Sequence, residues 1–164
     1  MNAAFSLLRL TEDQLRAIAA SRVPQALAQR LVNEALPPGF VAARALSLLA
    51  EGHDPIWSST YLIVRERDQR IVGGCGFKGA PRSGRVEIGY GVSPLAQGQG
   101  AATCAVRRLV RAAFDAGARE VLAEVTPSNL ASRRVVQKAG FEDTGSRVDE
   151  ESELVVQWVV RSGA

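Results

Sequence analysis

The sequence contains few cysteine, histidine and aromatic residues, and it has no long apolar run. Cys75 and Cys104 are too few and too far apart for a zinc site or a disulfide framework, so we interpret both as small buried apolar residues. The single histidine, His53, falls in a predicted loop and is interpreted as a structural or solvated residue. No apolar run approaches the ~20 residues that a membrane-spanning helix needs. These absences argue against a bound metal, a cysteine nucleophile and a membrane partner.

The composition is that of an ordinary globular protein. Of the 164 residues, 46% are hydrophobic and 23% are charged, and we predict a single domain over 1–164. The N-terminus lacks a basic region followed by an apolar stretch, which favours a cytoplasmic protein. The net charge is +3, but the arginines are spread along the chain without interleaved aromatic residues. We therefore expect no nucleic-acid partner, and the charge fits a polyanionic small cofactor equally well.

The chain is organised around the stretch Gln97–Ala102, which follows a strand-like run and opens an amphipathic helix. Small residues at such a turn let the backbone approach a ligand closely, and the free N–H groups of the first helical turn favour anions. The stretch therefore predicts a phosphate cradle. It lacks the lysine of a Walker-type loop. A dinucleotide-binding fold would place its glycine-rich turn after the first strand, whereas this turn comes in mid-chain.

Apolar periodicity and turn residues predict the elements around this stretch. Strands are predicted at 5–10, 56–65, 71–78, 85–92, 121–126, 142–148 and 154–160. Helices are predicted after the Thr11 capping box, from Pro24 to Ala35, at 40–50, from Gln99, and from Ser128 or Asn129 to Ala139. The unit from 85 to 126 implies parallel pairing and the preceding meander implies antiparallel pairing. The fold class is therefore α/β, with a mixed twisted sheet of about seven strands and helices on both faces.

Three motifs together resemble the GNAT superfamily of acyl-CoA-dependent N-acyltransferases. They are Gln97-x-x-Gly100-x-Ala102, Asn129-x-x-Ser132 and Gly140-Phe141, which lie at family-like separations. The motif-bearing match covers roughly residues 71–141. The runs Glu87–Tyr90 and Thr126–Asn129 are most similar to the ribosomal-protein N-terminal acetyltransferase branch. That branch also contains enzymes that act on small amines, so the resemblance does not name the acceptor.

The resemblance implies acetyl-CoA as cosubstrate and assigns residues to it. The residues of the pyrophosphate loop are Gln97, Gly98, Gln99, Gly100, Ala101 and Ala102. Pantetheine would pair with the backbone around Val92 and Ser93, Asn129 would contact the cofactor arm, and Ser132 would lie beside it. A plain helix N-cap is the other role open to Asn129. The implied acceptor is a small amine or a protein N-terminus, and many family members are homodimers.

Acyl transfer to an amine needs a base for the amine, a donor for the carbonyl and an acid for the leaving thiolate. Glu124 is the first candidate base, because its position resembles that of the base in one ribosomal N-terminal acetyltransferase subgroup, and Glu87 is the second. Each is also typical of a strand-face carboxylate that is hydrated or paired with arginine, and a water relay could serve instead. A strand N–H near Val92 is the expected carbonyl donor. The tyrosine that many members carry in the last helix is replaced by Val136, so Ser132 is the candidate acid and Tyr90 the next.

These observations predict an N-acetyltransferase that acts by direct attack of an amine on acetyl-CoA. The acceptor site is expected where the first helices meet the sheet, and residues 24–52 are expected to shape it. The alternative is a non-catalytic acyl-CoA-binding module that keeps the fold. The missing helix tyrosine favours that alternative, whereas the candidate bases and Ser132 argue against it.

Overall fold

The computed structural model describes residues 4–163. The strands are β1 (Phe5–Arg9), β2 (Thr60–Arg65), β3 (Arg70–Phe77), β4 (Arg85–Val92), β5 (Glu120–Val125), β6 (Glu142–Val148) and β7 (Leu154–Arg161). The helices are α1 (Glu12–Ala19), α2 (Gly39–Ala50), α3 (Pro55–Ser58), α4 (Ala101–Asp115) and α5 (Leu130–Lys138). None of these helices is both long and apolar enough to cross a membrane, within the described part of the chain.

The strands form one mixed sheet in the spatial order β1-β2-β3-β4-β5-β7-β6. Strands β1 to β4 pair antiparallel with their sequence neighbours, and β7 lies antiparallel between β5 and β6. The crossover helix α4 joins β4 to β5, and these two strands pair in parallel. The predicted fold class, with its antiparallel meander and its parallel step, is confirmed.

Apolar side chains cover both faces of the sheet. Helix α1 begins at the predicted capping box, in which the Gln14 N–H donates to the Thr11 hydroxyl (3.1 Å) and the Thr11 N–H donates to Gln14 Oε1 (3.0 Å). The core on the α1 and α2 side contains Leu10, Leu15, Ile18, Leu27, Ala42, Ala45, Leu62, Val64 and Ile71. The core on the α4 and α5 side contains Val72, Val86, Ile88, Ala105, Val106, Leu109, Val121, Ala123 and Val136.

The helix predicted from Pro24 to Ala35 is wrong beyond its first turns. A 3₁₀ helix covers Gln25–Arg30, and Leu31 is extended and bridges in parallel to Ile71. The Val32 N–H then donates to the Ile71 carbonyl (3.0 Å). The backbone pairs with β3 here instead of with itself, so the four-residue apolar spacing does not continue as a helix.

The strand predicted at 56–65 is wrong over its first residues. Asp54 Oδ1 accepts a hydrogen bond from the Ile56 N–H (3.0 Å), and Pro55 takes the first helical position. This cap starts the short helix α3, and the extended backbone begins at Thr60. A capping signal in the sequence therefore overrode the strand-like composition of Ile56 to Ser59.

Candidate active site

The sheet opens where its parallel pairing ends. Strands β4 and β5 are paired only through Arg85–Glu87 and Glu120–Leu122, whereas β5 pairs with β7 along its whole length. The Ser93 N–H donates to the Val72 carbonyl on β3 (2.8 Å). Backbone N–H groups alternate sides along a strand, so the Val92 N–H points away from β3 and into the opening.

The stretch Gln97–Ala102, predicted to cradle a phosphate, leads into the N-terminus of α4, and we call it the anion loop. Gly98 and Gly100 have φ values of +79° and +87°, and nothing lies within 4 Å of where a Cβ would sit at either residue. The first backbone bond of the helix runs from the Cys104 N–H to the Gly100 carbonyl (3.0 Å). The N–H groups of the preceding turn, residues 101–103, remain for an external acceptor. Open space, free donors and the helix dipole together fit a phosphate group.

A cavity of about 520 Å³ lies at this helix terminus, and we call it the loop cavity. Its walls contain the predicted cofactor residues Val92, Gln97, Gly98, Gly100, Ala101, Ala102, Asn129 and Ser132. Two other predicted residues do not line it: Ser93 is fully buried, and the Gln99 side chain accepts a hydrogen bond from Arg65 (3.0 Å). Arg134 and Lys138 also line the cavity, although the sequence analysis missed them. Their four-residue spacing on a helix that begins beside Asn129 was the available signal.

Asn129 caps the helix that contributes one wall of the loop cavity. Its Oδ1 accepts a hydrogen bond from the Ser132 N–H (3.0 Å), which is the N-cap role considered from the sequence. This bond uses the side-chain oxygen and leaves the amide NH₂ group of Asn129 as a donor at the cavity wall. The capping role and a contact with a cofactor are therefore compatible in this geometry.

The two candidate acids are hydrogen-bonded to each other. The Tyr90 hydroxyl lies 2.6 Å from Ser132 Oγ, and both residues line the loop cavity. Burial raises the pKa of Tyr90, an effect that the hydrogen bond with Ser132 partly opposes. The phenol is therefore protonated at neutral pH and can donate a hydrogen bond into the cavity. The alternation of β4 places Tyr90 on the same face as the buried Val86 and Ile88. Strand β5 no longer pairs with β4 beyond Glu87, so Tyr90 faces the opening between the two strands.

A second cavity, of about 450 Å³, lies between α2 and the sheet, and we call it the α2 cavity. Its apolar walls are formed by Ala35, Leu36, Pro37, Pro38, Phe40, Val41, Ala45, Leu48 and Phe77. The charged residues that line it are Glu34, Arg44 and Lys78. The two cavities share Tyr90, Gly91 and Val92, so they meet at the end of β4.

The wall segment of the α2 cavity, residues 31–38, is tied to the end of β4. The buried Ser93 hydroxyl donates a hydrogen bond to the Asn33 carbonyl and accepts one from the Leu95 N–H (3.2 Å). Glu34 follows with a φ of +63°, in the left-handed region that non-glycine residues rarely adopt. Ser93, predicted to contact the cofactor, thus uses its side chain to hold the wall of the neighbouring cavity.

Glu124 sits in a hydrogen-bonded cluster on β5. Arg147 on β6 donates from Nη2 to Glu124 Oε1 (2.9 Å) and from Nε to Oε2, and Gln157 on β7 donates to Oε2 (3.0 Å). The hydrogen bonds from Arg147 are the main cause that holds the pKa of Glu124 below its usual value. The side chain is only 9% exposed, so Glu124 is an oriented, ionised carboxylate. Arg147 and Gln157 were missed in the sequence because the register of the last hairpin could not be read from it.

Glu87, the second candidate base, is paired with a lysine. Lys78 Nζ lies 2.8 Å from Glu87 Oε2, and the two residues are also joined through the Lys78 N–H and the Glu87 carbonyl (2.8 Å). The Lys78 side chain passes over Gly89 of β4, and a Cβ added at Gly89 would lie 3.2 Å from Lys78 Cε. Both candidate carboxylates are therefore ion-paired, and Glu124 is the more constrained of the two.

Other residues considered from the sequence take structural positions. Burial raises the pKa of the Cys75 thiol to about 12, which agrees with a small apolar residue, and Cys104 is half-buried. His53 lies in a loop, with its Nε2 3.2 Å from Glu51 Oε2. Val136 is fully buried in the core beneath α5, at the position where many family members carry tyrosine.

Comparison with known proteins places this geometry in a family. A family model described as an acetyltransferase (GNAT) domain matches residues 6–142. The chain belongs to this family. The resemblance inferred from the three motifs is confirmed, and the family match extends well beyond the stretch that carries them.

Relatives and solved structures agree with the GNAT assignment. YjdG of Bacillus subtilis, named an uncharacterized N-acetyltransferase, is 31% identical over 87 residues, which are 50% of this chain and 50% of that protein. The match therefore spans only half of the length of this relative. Ribosomal-protein-S5-alanine acetyltransferase from Vibrio fischeri has the same fold, with a TM-score of 0.69, 16% identity and coverage of 99% and 96%. The yncA structure from Salmonella typhimurium contains acetyl-CoA, and it aligns with a TM-score of 0.65, 18% identity and coverage of 99% and 98%. That ligand is the cosubstrate that the sequence analysis predicts.

Proposed function

We propose that this protein is an N-acetyltransferase that moves the acetyl group of acetyl-CoA to a primary amine by direct attack, with residues 1–164 as one catalytic domain. The observation that carries the proposal is the meeting of the two cavities at Tyr90, Gly91 and Val92. One cavity ends in the free N–H groups of a helix terminus, which suit the pyrophosphate of a nucleotide cofactor. The other is largely apolar and leads to the same point, so an amine bound there can reach a thioester held in the first.

The residues at the junction would divide the chemistry between them. When bound, acetyl-CoA supplies the thioester carbonyl that the neutral amine attacks. The Val92 N–H points into the opening and is placed to donate a hydrogen bond to the carbonyl oxygen as negative charge develops there. The new C–N bond forms as the C–S bond breaks, the amine gives up one proton to the base, and the departing CoA thiolate takes one proton from solvent.

The Tyr90–Ser132 pair is proposed to assist the leaving sulfur, and Glu124 to accept the proton of the amine. A tyrosine with a raised pKa is a weaker acid than a thiol, so Tyr90 stabilises the developing thiolate by hydrogen bonding. Ser132 orients the phenol through the bond of 2.6 Å between the two oxygens. Glu124 lines neither cavity, so the proton of the amine would reach it through water, and its lowered pKa makes it a weak base. Glu87 is the second candidate.

An acceptor screen with acetyl-CoA tests the proposal. The enzyme is incubated with acetyl-CoA and with single members of a panel of amines, amino acids and peptides, and the release of free thiol is followed. Turnover that depends on one class of amine is expected, with the acetylated product identified by mass spectrometry. Saturable binding of CoA without turnover on any acceptor would instead support a non-catalytic acyl-CoA-binding module.

Gly100→Ala is expected to weaken the binding of CoA about 10-fold. An alanine at the φ of +87° costs about 1–2 kcal/mol, and relaxation of that strain would turn the N–H groups of the first helical turn away from the phosphate. The measurement is a calorimetric titration of CoA into the wild type and the variant.

Gly117→Ala is the matched control, because Gly117 has a φ of +97° at the other end of α4 and lies outside both cavities. Both variants should lose similar thermal stability, and only Gly100→Ala should lose affinity for CoA. Equal affinities in the two variants would contradict the assignment of the loop to the phosphate.

Glu124→Gln is expected to lower kcat about 10-fold at neutral pH, whereas Glu87→Gln lowers it less than about 3-fold.

Glu124→Gln also removes charge-assisted hydrogen bonds, at a cost of about 1–2 kcal/mol in the free energy of unfolding. Because the folded pKa of Glu124 is lowered, this contribution is present above its usual value of 4.5 and is lost as the pH falls through the folded pKa. Urea unfolding of wild type and variant at pH 7 and near pH 3 measures the difference. If neither Glu124→Gln nor Glu87→Gln lowers kcat at neutral pH, a side-chain base at these positions is ruled out.

A further inference from the structure

The charges of the α2 cavity limit the amines that it can accept. Of the three charged residues that line it, Lys78 is already paired with Glu87 at 2.8 Å. Arg44 on α2 is half-buried, and no hydrogen bond or salt bridge joins its guanidinium to another residue within 4–163. Glu34 is exposed and likewise forms no salt bridge among the described residues. The cavity therefore offers one uncompensated cation and one uncompensated carboxylate within an apolar surface.

A half-buried guanidinium that has no partner among the described residues is available to pair with an anionic ligand. The planar fork of arginine matches the two oxygens of a carboxylate, and a lysine already engaged by Glu87 does not compete for that ligand. Polyamines and aminoglycosides carry several positive charges, which require several carboxylates in the walls. Glu34 is the single carboxylate among the lining residues.

On the basis of the proposed acetyltransferase function, we infer that the acceptor is an α-amino acid with an apolar side chain. Its carboxylate binds Arg44, and its side chain packs on the apolar walls near Val41, Leu48 and Phe77. Its amino group is then directed to the end of β4, where the two cavities meet. Glu34 adds a negative charge at the exposed rim and opposes a second carboxylate, so dicarboxylic amino acids are poor acceptors.

The inference is tested with acceptors that differ in one group. Leucine is compared with isoamylamine, which lacks the carboxylate, and with leucinamide, in which the carboxylate is neutral. Glutamate and spermidine represent a second negative charge and a polycation. The value of kcat/KM for leucine should exceed that of each of the others at least 10-fold. Isoamylamine, leucinamide and spermidine leave Arg44 without a carboxylate, and the second carboxylate of glutamate is repelled by Glu34. Equal use of leucine and leucinamide, or a preference for spermidine, would overturn the inference.

Arg44→Gln removes the charge and keeps a hydrogen-bonding side chain. It should lower kcat/KM for leucine about 10- to 100-fold and leave that for isoamylamine within about 2-fold, whereas Arg44→Lys should restore part of the activity with leucine. Arg22→Gln is the matched control, since Arg22 is exposed and lies outside both cavities. An equal loss with both acceptors would show that Arg44 is structural and would contradict the inference.

Binding separates the failure of this inference from the failure of the proposed function. Leucine is titrated calorimetrically into the enzyme saturated with CoA, where no acetyl group is available. Binding that is weakened in Arg44→Gln supports the assignment of the carboxylate site even if the enzyme shows no turnover. Turnover with another class of amine, together with no binding of leucine, keeps the acetyltransferase and discards the amino-acid acceptor.

Discussion

Replacing Tyr90 with phenylalanine is expected to lower kcat about 100-fold and to leave the KM for acetyl-CoA within about 2-fold. The hydroxyl donates to the sulfur only as negative charge develops, so its loss raises the barrier without weakening the ground state. The phenyl ring still fills its place between the two cavities. Steady-state kinetics with a saturating acceptor, together with a single-turnover experiment to isolate the chemical step, provide the measurement.

Two further variants locate this effect. Tyr61→Phe removes the hydroxyl of the other tyrosine in the chain, which lies outside both cavities, and should leave kcat unchanged. Ser132→Ala should lower kcat less than 10-fold, because Tyr90 keeps its donor but loses the partner at 2.6 Å that orients it. A Tyr90→Phe enzyme with the wild-type rate of chemistry would show that the phenol plays no part. A loss of kcat in Ser132→Ala larger than that in Tyr90→Phe would assign the role to the serine.

Gly73→Ala is expected to lower the free energy of unfolding by about 3 kcal/mol and the thermal midpoint by about 10 °C. A Cβ at Gly73 would overlap the Gly91 carbonyl oxygen and lie 3.0 Å from the Cα of Val92. Both obstacles are backbone atoms, so β3 and β4 would have to separate. The shift would occur where the Val92 N–H faces the opening, and activity should fall together with stability. Chemical unfolding and thermal scans of the purified variant measure the loss.

Gly91→Ala provides the comparison for stability. Gly91 lies on the neighbouring strand beside Gly74, and nothing lies within 4 Å of where its Cβ would be. This variant should unfold within about 0.5 kcal/mol of the wild type. Similar losses in the two variants would mean that glycine flexibility, and not close approach of β3 and β4, accounts for the effect of Gly73→Ala.

Much of the fold could be predicted from local signals. The Thr11 capping box and the alternation from Arg85 to Val92 each specify an element through neighbouring residues alone. The position of the anion loop was equally accessible, because small residues between a strand and an amphipathic pattern mark a helix N-terminus. Predictions were less accurate where the backbone found a partner far away in sequence, as Leu31 does with Ile71.

The chemistry of the site was harder to predict than its position. The bond between Tyr90 and Ser132 joins residues 42 positions apart, and it depends on the divergence of β5 from β4. The pairing of Glu124 with Arg147 depends on the register of the last hairpin. In both cases the sequence supplied the candidate residues, while tertiary geometry decided their partners, and therefore the direction of each pKa shift.

The wall segment at residues 31–38 is held to the sheet by a few hydrogen bonds, among them that from the buried Ser93 hydroxyl to the Asn33 carbonyl and that from the Val32 N–H to the Ile71 carbonyl. The anion loop, in contrast, follows β4 after Ser93 and the short 3₁₀ helix Pro94–Ala96. Substitutions in residues 31–48 are therefore expected to change the shape of the α2 cavity while the anion loop keeps its backbone. A graft of residues 31–48 between relatives that keep Ser93 should carry the acceptor preference with it.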